Sequence, residues 1–272
     1  MAQSLTGAVL VIGGGRMGEA LAAGLRGQGW PDRQLVIVEA LPDRRQTLAG
    51  NGLVAVGTIK EGLDRLEGED IGAVIAVKPY DVEGVARELA AAGVGRVLSI
   101  AAGVTLDDLD RWLDPAVAVR AMPNTPALVG CAASAVAGGR RATGADVEWA
   151  KRILSAVGTV VELGEPSLDA VTGLSGSGPA YVFLLAEALI DAGVLVGLTR
   201  QVAQALAVQT LLGAAQLMAE TGEEPSALRA AVTSPGGTTA AALRELERAG
   251  LRSAILEAVV AAAERSRELG RH

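Results

Sequence analysis

The sequence predicts an α/β domain built on a doubly wound parallel sheet, followed by an all-α domain. Three observations predict it. Short β-rich runs alternate with helical stretches through the first half of the 272 residues, the pattern of successive βαβ units. A glycine-rich turn stands between the first β-run and the first helical stretch. After about Pro166 the β-branched runs fade, and Ala, Leu, Glu and Arg take over. The first domain is therefore expected over residues 1–165 and the helical one over 166–272.

The elements follow in order. Ala8–Ile12 (AVLVI) is short and wholly apolar, as a strand buried on both faces must be. Residues 17–26 read as a helix, and 35–39 (LVIVE) as the second strand. Later strands are expected at 73–77, 96–101 and 116–120. In the second half, helices are expected over 179–192, 200–220, 239–249 and Leu251–Leu269. Ser177 is read as the cap of the first of these, with Pro179 in its first turn and Gly193 past its end. Gly250 is placed to end the third. In the last, Ile255, Leu256, Val259, Val260 and Ala263 form one apolar stripe.

Composition narrows the chemistry. Half of the residues are hydrophobic but only 2% are aromatic, so small side chains do the packing. The net charge of −7 argues against a nucleic-acid partner, which needs a basic surface. Cys131 is the only cysteine, which fits a reducing cytoplasm. Residues 1–10 carry no Lys or Arg ahead of the apolar run, so that run reads as a strand and not as a signal peptide. No uncharged apolar stretch reaches the roughly 18 residues of a membrane span. Residues 181–198 come nearest, interrupted by Glu187 and Asp191. A cytoplasmic protein with neither membrane nor nucleic-acid partner is expected. The only histidine is His272, the last residue. A Ser-His-Asp triad, a Cys-His pair and a multi-His metal site all lack parts, and no metal is expected. Any catalysis must draw its reactivity from a cofactor or from the substrate.

Gly13-Gly14-Gly15-Arg16-Met17-Gly18 fits G-x-G-x-x-G in the required strand–turn–helix setting. Such glycines allow a tight turn and let the backbone approach a pyrophosphate at the helix N-terminus. A Rossmann-like dinucleotide-binding domain is the reading. Glu39 ends the second strand about twenty residues past the third glycine, where an acid accepts hydrogen bonds from the adenine ribose and favours NAD(H). Arg44 and Arg45 lie just behind, in reach of a 2′-phosphate, and favour NADP(H). The residues alone leave that choice open. Val77-Lys78-Pro79 and residues 99–105 mark carboxyl ends of later strands, where open α/β sheets bind ligands. Lys78 either neutralises ligand charge or is a surface lysine. The two-proline stretch 122–126 (MPNTP) is either a closure over the ligand or a turn.

Two Gly/Ser-rich stretches precede helices in the second half. Ser175-Gly176-Ser177-Gly178-Pro179 is explained by helix capping. Ser234-Pro235-Gly236-Gly237-Thr238-Thr239 offers more hydroxyls than one cap requires, and is the better anion site.

These stretches closely resemble the pyrroline-5-carboxylate reductases. The segments VIGGGRMGEALAAGL, AVKP, AAGVT and MPNTPA occur in that family's order, followed by SGSGPAYVFLLAEALIDAGVLVGLTR, AVQT and LRAAVTSPGGTTAAALRELERAGLRSAI. The resemblance covers nearly the whole chain. It implies a Rossmann-like domain plus an all-α dimerisation domain, with dimers that often assemble into decamers. It also implies a site between the cofactor domain of one subunit and helices of the dimer pair. The implied reaction is NADP(H)-dependent, or NAD(H)-dependent, reduction of 1-pyrroline-5-carboxylate to L-proline, the last step of proline biosynthesis. Carried over by motif, Ser234, Gly237, Thr238 and Thr239 hold the substrate carboxylate, and the Thr239 hydroxyl bonds the imine nitrogen as the catalytic contact. Gly13, Gly15, Arg16 and Met17 lie along the pyrophosphate. Ala76, Val77, Lys78 and Pro79, with Ile100, Ala101 and Ala102, line the nicotinamide end. One departure concerns the end of the second strand. Many members carry a small polar residue there; this chain has Glu39-Ala40-Leu41, so a preference for NADP is not simply inherited.

Three rivals stay open. A hydroxyacid dehydrogenase of similar architecture usually has a lysine in its helical half, whereas Lys60, Lys78 and Lys151 all precede Pro166. A reductase of another cyclic imine shares most of these motifs. A non-catalytic NAD(P)-binding protein is the third.

Overall fold

A computed structural model describes residues 7–68 and 70–270. By compactness these fall into two units. One runs up to Ser177 and takes back the residues from Ala261 on; the other is Gly178–Val260. The change of composition at 165/166 and the change of packing at 177/178 are thus different places. The helix Leu251–Leu269 crosses the return boundary between Val260 and Ala261, and its last turns belong with the first unit, where the Ser266 hydroxyl donates to Asp169 Oδ1 at 2.6 Å.

Among the described residues the first unit holds one eight-stranded sheet. Its strands are β1 (Ala8–Ile12), β2 (Leu35–Val38), β3 (Ala55–Val56), β4 (Ile71–Ile75), β5 (Arg96–Ser99), β6 (Val117–Met122), β7 (Ala132–Gly138) and β8 (Gly158–Glu162). The order is β3-β2-β1-β4-β5-β6-β7-β8. The first six are parallel, β7 runs antiparallel to β6, and β8 runs parallel to β7. Crossing from β1 to β4 reverses the direction of winding, the place where such sheets bind ligands.

The helices of this unit are α1 (Arg16–Gly27), α2 (Pro42–Gly50), α3 (Ile59–Arg65), α4 (Val82–Ala91), α5 (Leu106–Trp112), α6 (Gly144–Leu154) and the short α7 (Leu168–Val171). They cover both faces of the sheet. Along β1 the side chains alternate, with Ala8, Leu10 and Ile12 turned to one core and Val9 and Val11 to the other. The first core takes Ile59, Val82, Ala86, Leu89 and Leu109; the second takes Leu21, Leu25, Leu48, Trp149 and Ile153. That double burial is why the strands read as unbroken apolar runs. β4 starts two residues earlier than expected, because Gly72 belongs to it. A β-carbon at Gly72 would lie 2.3 Å from Trp149 Cζ2, so the indole occupies the space a side chain would need. The Arg96 guanidinium stacks over the same indole, 4.7 Å from its centroid.

After α7 the backbone widens into a π-turn over Thr172–Gly176 and passes directly into α8 (Gly178–Leu195). Ser177, just before α8, lies at a bend with φ −85° and ψ −19° instead of the extended backbone usual for a cap, and its amide donates to Thr172 O at 2.8 Å. The hydroxyls of Thr172 and Ser175 turn back onto Leu168 O (2.9 Å) and Val171 O (3.2 Å), which lets a Gly/Ser-rich stretch continue a helix. Nor does Gly193 end α8. The helix runs on to Leu195, and Gly193 is needed because its β-carbon would meet that of Ala203 at 2.8 Å. The second unit continues with α9 (Arg200–Thr221), α10 (Pro225–Ala231), α11 (Thr238–Arg248) and α12 (Leu251–Leu269), which starts there. Gly250, at φ +76°, separates α11 from α12 as expected.

Helices α8 and α9 pack through Ile190, Ala203 and Ala207, and leave much apolar surface open, including Phe183, Leu184, Leu195, Leu206 and Leu212. By length and composition, Glu165–Leu195 and Arg200–Thr221 are long and apolar enough to cross a membrane. Exposed apolar surface on this scale calls for a covering partner.

Trp149 fixes the packing of α6 on the sheet and is 2% exposed. Trp149→Ala is expected to lower the unfolding free energy by about 3–5 kcal/mol, read as a shift of the urea midpoint.

Candidate active site

The glycine loop sits at the carboxyl end of β1, between β2 and β4. Gly13 has φ +105°, and a β-carbon there would lie 2.9 Å from the Ala76 carbonyl. A β-carbon at Gly18 would come within 2.0 Å of Gly13 O. These two glycines let α1 start tight against the strand. Gly15 is different: a β-carbon there would meet nothing within 4 Å. It is the exposed N-cap of α1, with no side chain capping the helix. Arg16 is exposed and Met17 half-buried beside it. An open glycine at an uncapped N-terminus of a 12-residue helix suits a pyrophosphate. The residues present thus fit a dinucleotide.

Glu39 follows β2 directly. Its Oε2 accepts from the Gly14 amide at 3.0 Å and its Oε1 from the Leu41 amide at 2.9 Å. Arg44 Nε donates to Gly14 O at 2.7 Å, and its Nη2 pairs with Glu19. Arg45 Nη1 donates to Glu39 O at 2.7 Å and to Ala40 O at 2.8 Å. Both arginines are therefore engaged by the chain itself. Burial pushes the Glu19 carboxyl up, but hydrogen bonds from Arg44 and Asn51 and the Arg44 charge outweigh it and hold the group below its ordinary value.

The other expected cofactor residues cluster on the same sheet edge. Ala76, Val77, Lys78 and Pro79 follow β4, with the Ala76 amide donating to Ile12 O at 2.8 Å. Lys78 is exposed. Ile100, Ala101 and Ala102 follow β5, with the Ile100 amide donating to Ile75 O at 3.1 Å. Ala101 is buried and Ala102 exposed.

In the second unit, Ser234–Thr239 leads into α11. Gly236 has φ +71° and Gly237 is the N-cap, again without a capping side chain. A β-carbon at Gly237 would lie 2.4 Å from Ser234 Oγ, so a side chain there would have to displace that hydroxyl. Thr238 and Thr239 form the first residues of the helix, Thr238 exposed and Thr239 half-buried. In the first Gly/Ser stretch the π-turn Thr172–Gly176 runs up to Ser177, directly before α8, so the start of that helix is not set off by an open loop.

Sequence reasoning missed two anchors. Asn124, 9% exposed, donates through Nδ2 to Ser175 O at 2.9 Å and accepts the Ala133 amide on Oδ1 at 2.9 Å. It pins the two-proline stretch against the π-turn, so that stretch is a fixed loop; an Asn between two prolines was the available signal. Arg120, on β6, pairs with Glu165 at 2.8 Å, and Glu165 Oε1 also accepts the Leu106 amide at 2.6 Å. Nothing in the local sequence marks that pair.

Comparison with known proteins decides the family. The chain is 45% identical to a pyrroline-5-carboxylate reductase from Mycobacterium leprae, across 96% of both chains. The chain belongs to the pyrroline-5-carboxylate reductase family. A family model described as pyrroline-5-carboxylate reductase dimerisation matches residues 165–269, so the second half carries this family's dimerisation region. One described as NADP oxidoreductase, coenzyme F420-dependent, matches residues 8–103. A solved pyrroline-5-carboxylate reductase from Coxiella burnetii is 35% identical with a TM-score of 0.90, covering 97% of this chain and 98% of its own. A Plasmodium falciparum pyrroline carboxylate reductase, solved with NADP bound, is 30% identical with a TM-score of 0.83 over the same shares.

The shifted Glu19 carboxyl gives a pH prediction. Its folded value lies below the ordinary 4.5, so its contribution to stability is complete above about 4.5 and is lost as pH falls through the lower folded value. Urea midpoints measured down the acid side should fall less steeply in Glu19→Gln than in the wild-type protein.

Proposed function

We propose that this chain reduces 1-pyrroline-5-carboxylate to L-proline with a reduced nicotinamide dinucleotide, NADPH or NADH, as the last step of proline biosynthesis. The observation that carries this reading is the Ser234–Thr239 loop: a diglycine turn opening an uncapped helix whose first residues are two threonines. Its family membership supports the assignment.

When bound, the reduced nicotinamide supplies a hydride to C5 of the pyrroline ring. Gly13, Gly15, Arg16 and Met17 hold the pyrophosphate at the start of α1. Glu39 and Arg44 shape the adenosine end. Ala76, Val77, Lys78 and Pro79, with Ile100, Ala101 and Ala102, flank the nicotinamide end. Ser234, Gly237, Thr238 and Thr239 hold the substrate carboxylate through amides and hydroxyls at the positive end of α11. The Thr239 hydroxyl bonds the ring nitrogen. That nitrogen is basic, so its protonated form is already an electrophile, and the chain needs little acid–base machinery of its own. The absence of a histidine anywhere before His272 agrees with this. What the residues contribute is position and exclusion of water.

A second copy of the chain covers the apolar faces of α8 and α9, giving a homodimer, and dimers assemble further into a decamer. This makes a covering membrane unnecessary despite the length of those helices. The net charge of −7 disfavours nucleic acid as a partner, and the single cysteine fits a cytoplasmic location.

Purified protein is expected to oxidise NADPH or NADH only when pyrroline-5-carboxylate is present. Oxidation with another cyclic imine but not this one would replace the substrate, and no oxidation in a folded oligomer would point to a non-catalytic role. Thr239→Ala is expected to lower kcat/KM by about ten- to a hundredfold, the loss of one or two hydrogen bonds, while circular dichroism stays unchanged.

A further inference from the structure

We infer that Glu39 makes this chain bind NAD(H) more tightly than NADP(H), by occupying the ground a 2′-phosphate would need. The inference rests on the dinucleotide reading of the glycine loop and adds the selectivity to it.

The argument begins with the two amides at the end of β2. Gly14 N–H and Leu41 N–H converge on one carboxylate, at 3.0 Å and 2.9 Å. Converging backbone amides make an anion site, and here the chain supplies the anion itself. Gly14 packs closely on this group: a β-carbon on it would lie 3.1 Å from Glu39 Cβ and 2.5 Å from Leu48 Cδ1.

Charge points the same way. A 2′-phosphate brings negative charge and acceptor oxygens, and needs cations or donors. Two cations beside it already serve the chain: Arg44 holds Glu19 and Gly14 O, and Arg45 holds Glu39 O and Ala40 O. Against Arg44 and Arg45 stand Glu19 and Glu39, so this group has no surplus positive charge. An unmodified ribose has the opposite requirement. Its vicinal hydroxyls donate, and each Glu39 oxygen, having accepted one amide, keeps a lone pair to accept from them. The carboxylate is held in place before any ligand arrives, which lowers the ordering cost of binding.

The test is calorimetric titration of the intact protein with ADP-ribose and with 2′-phospho-ADP-ribose, which reads the adenosine end without turnover. Wild-type protein is expected to favour ADP-ribose by at least about tenfold, the size of a like-charge contact near a protein surface. E39S, which removes the charge and frees both amides, should cut that ratio by about tenfold or more. Because E39S also removes the carboxylate that ties the loop, E39Q is measured beside it. E39Q keeps the side-chain length and one of the two amide bonds, and should lower discrimination with a smaller fall in melting temperature than E39S. Equal wild-type affinities for the two probes, or discrimination unchanged in both variants, would overturn the inference while leaving the dinucleotide reading intact. Binding of neither probe by folded wild-type protein would overturn both.

Discussion

The first unit is organised around a contact that has no room for a β-carbon. The first turn of α1 lies against the end of β1 so closely that Gly18 faces the carbonyl of Gly13, and Gly13 itself faces the carbonyl of Ala76 beyond β4. That closeness aims the start of α1 along the sheet edge where β1 and β4 part. It also draws the loop within reach of Glu39, whose carboxylate ties Gly14 to the end of β2. The neighbouring Arg44 adds a second tie, through Gly14 O and Glu19. Three strand ends and one helix end are thereby fixed relative to each other by backbone geometry, with side chains added as braces. The open face of the loop is left at Gly15, the one place where space remains.

Much of this was legible in the sequence because it follows from local pattern. β1 and β2 announce themselves as apolar runs, the glycines as a spacing, and α11 by the loop ahead of it. β3, β7 and β8 were not legible, for physical reasons. β3 has two residues. β7 (AASAVAG) has few β-branched side chains and is made a strand by its neighbours, including an antiparallel pairing with β6 that the βαβ pattern does not anticipate. The stretch Ser175–Pro179 misled in the other direction. Its composition is that of a loop, yet back-bonded hydroxyls and a π-turn carry the helix through it. At the candidate site the residue types and motifs were readable, whereas the engagement of Arg44 and Arg45 was not. Both arginines lie close behind Glu39 in sequence, but what they bond depends on Gly14, Glu19 and the carbonyls of Glu39 and Ala40, which only the fold brings together.

The chemistry and the composition are consistent with one another. A chain whose only histidine is its last residue, and whose described residues hold no cluster of metal-binding side chains, has few groups of its own for proton or electron work. A reaction between a hydride donor and an imine that is protonated in solution asks little of that kind. The chain offers two helix starts opened by glycine without a capping side chain, α1 in one unit and α11 in the other. The apolar helices of the second unit add a different demand, for a partner surface, which membership of a family with a dimerisation region meets.

The central claim is hydride transfer from the nicotinamide to C5 of the pyrroline ring, and isotope tracing tests it most directly. With dinucleotide deuterated at C4 of the reduced nicotinamide, the account predicts L-proline carrying deuterium at C5, seen by NMR. Proline formed without deuterium, or cofactor oxidised without proline, would contradict it.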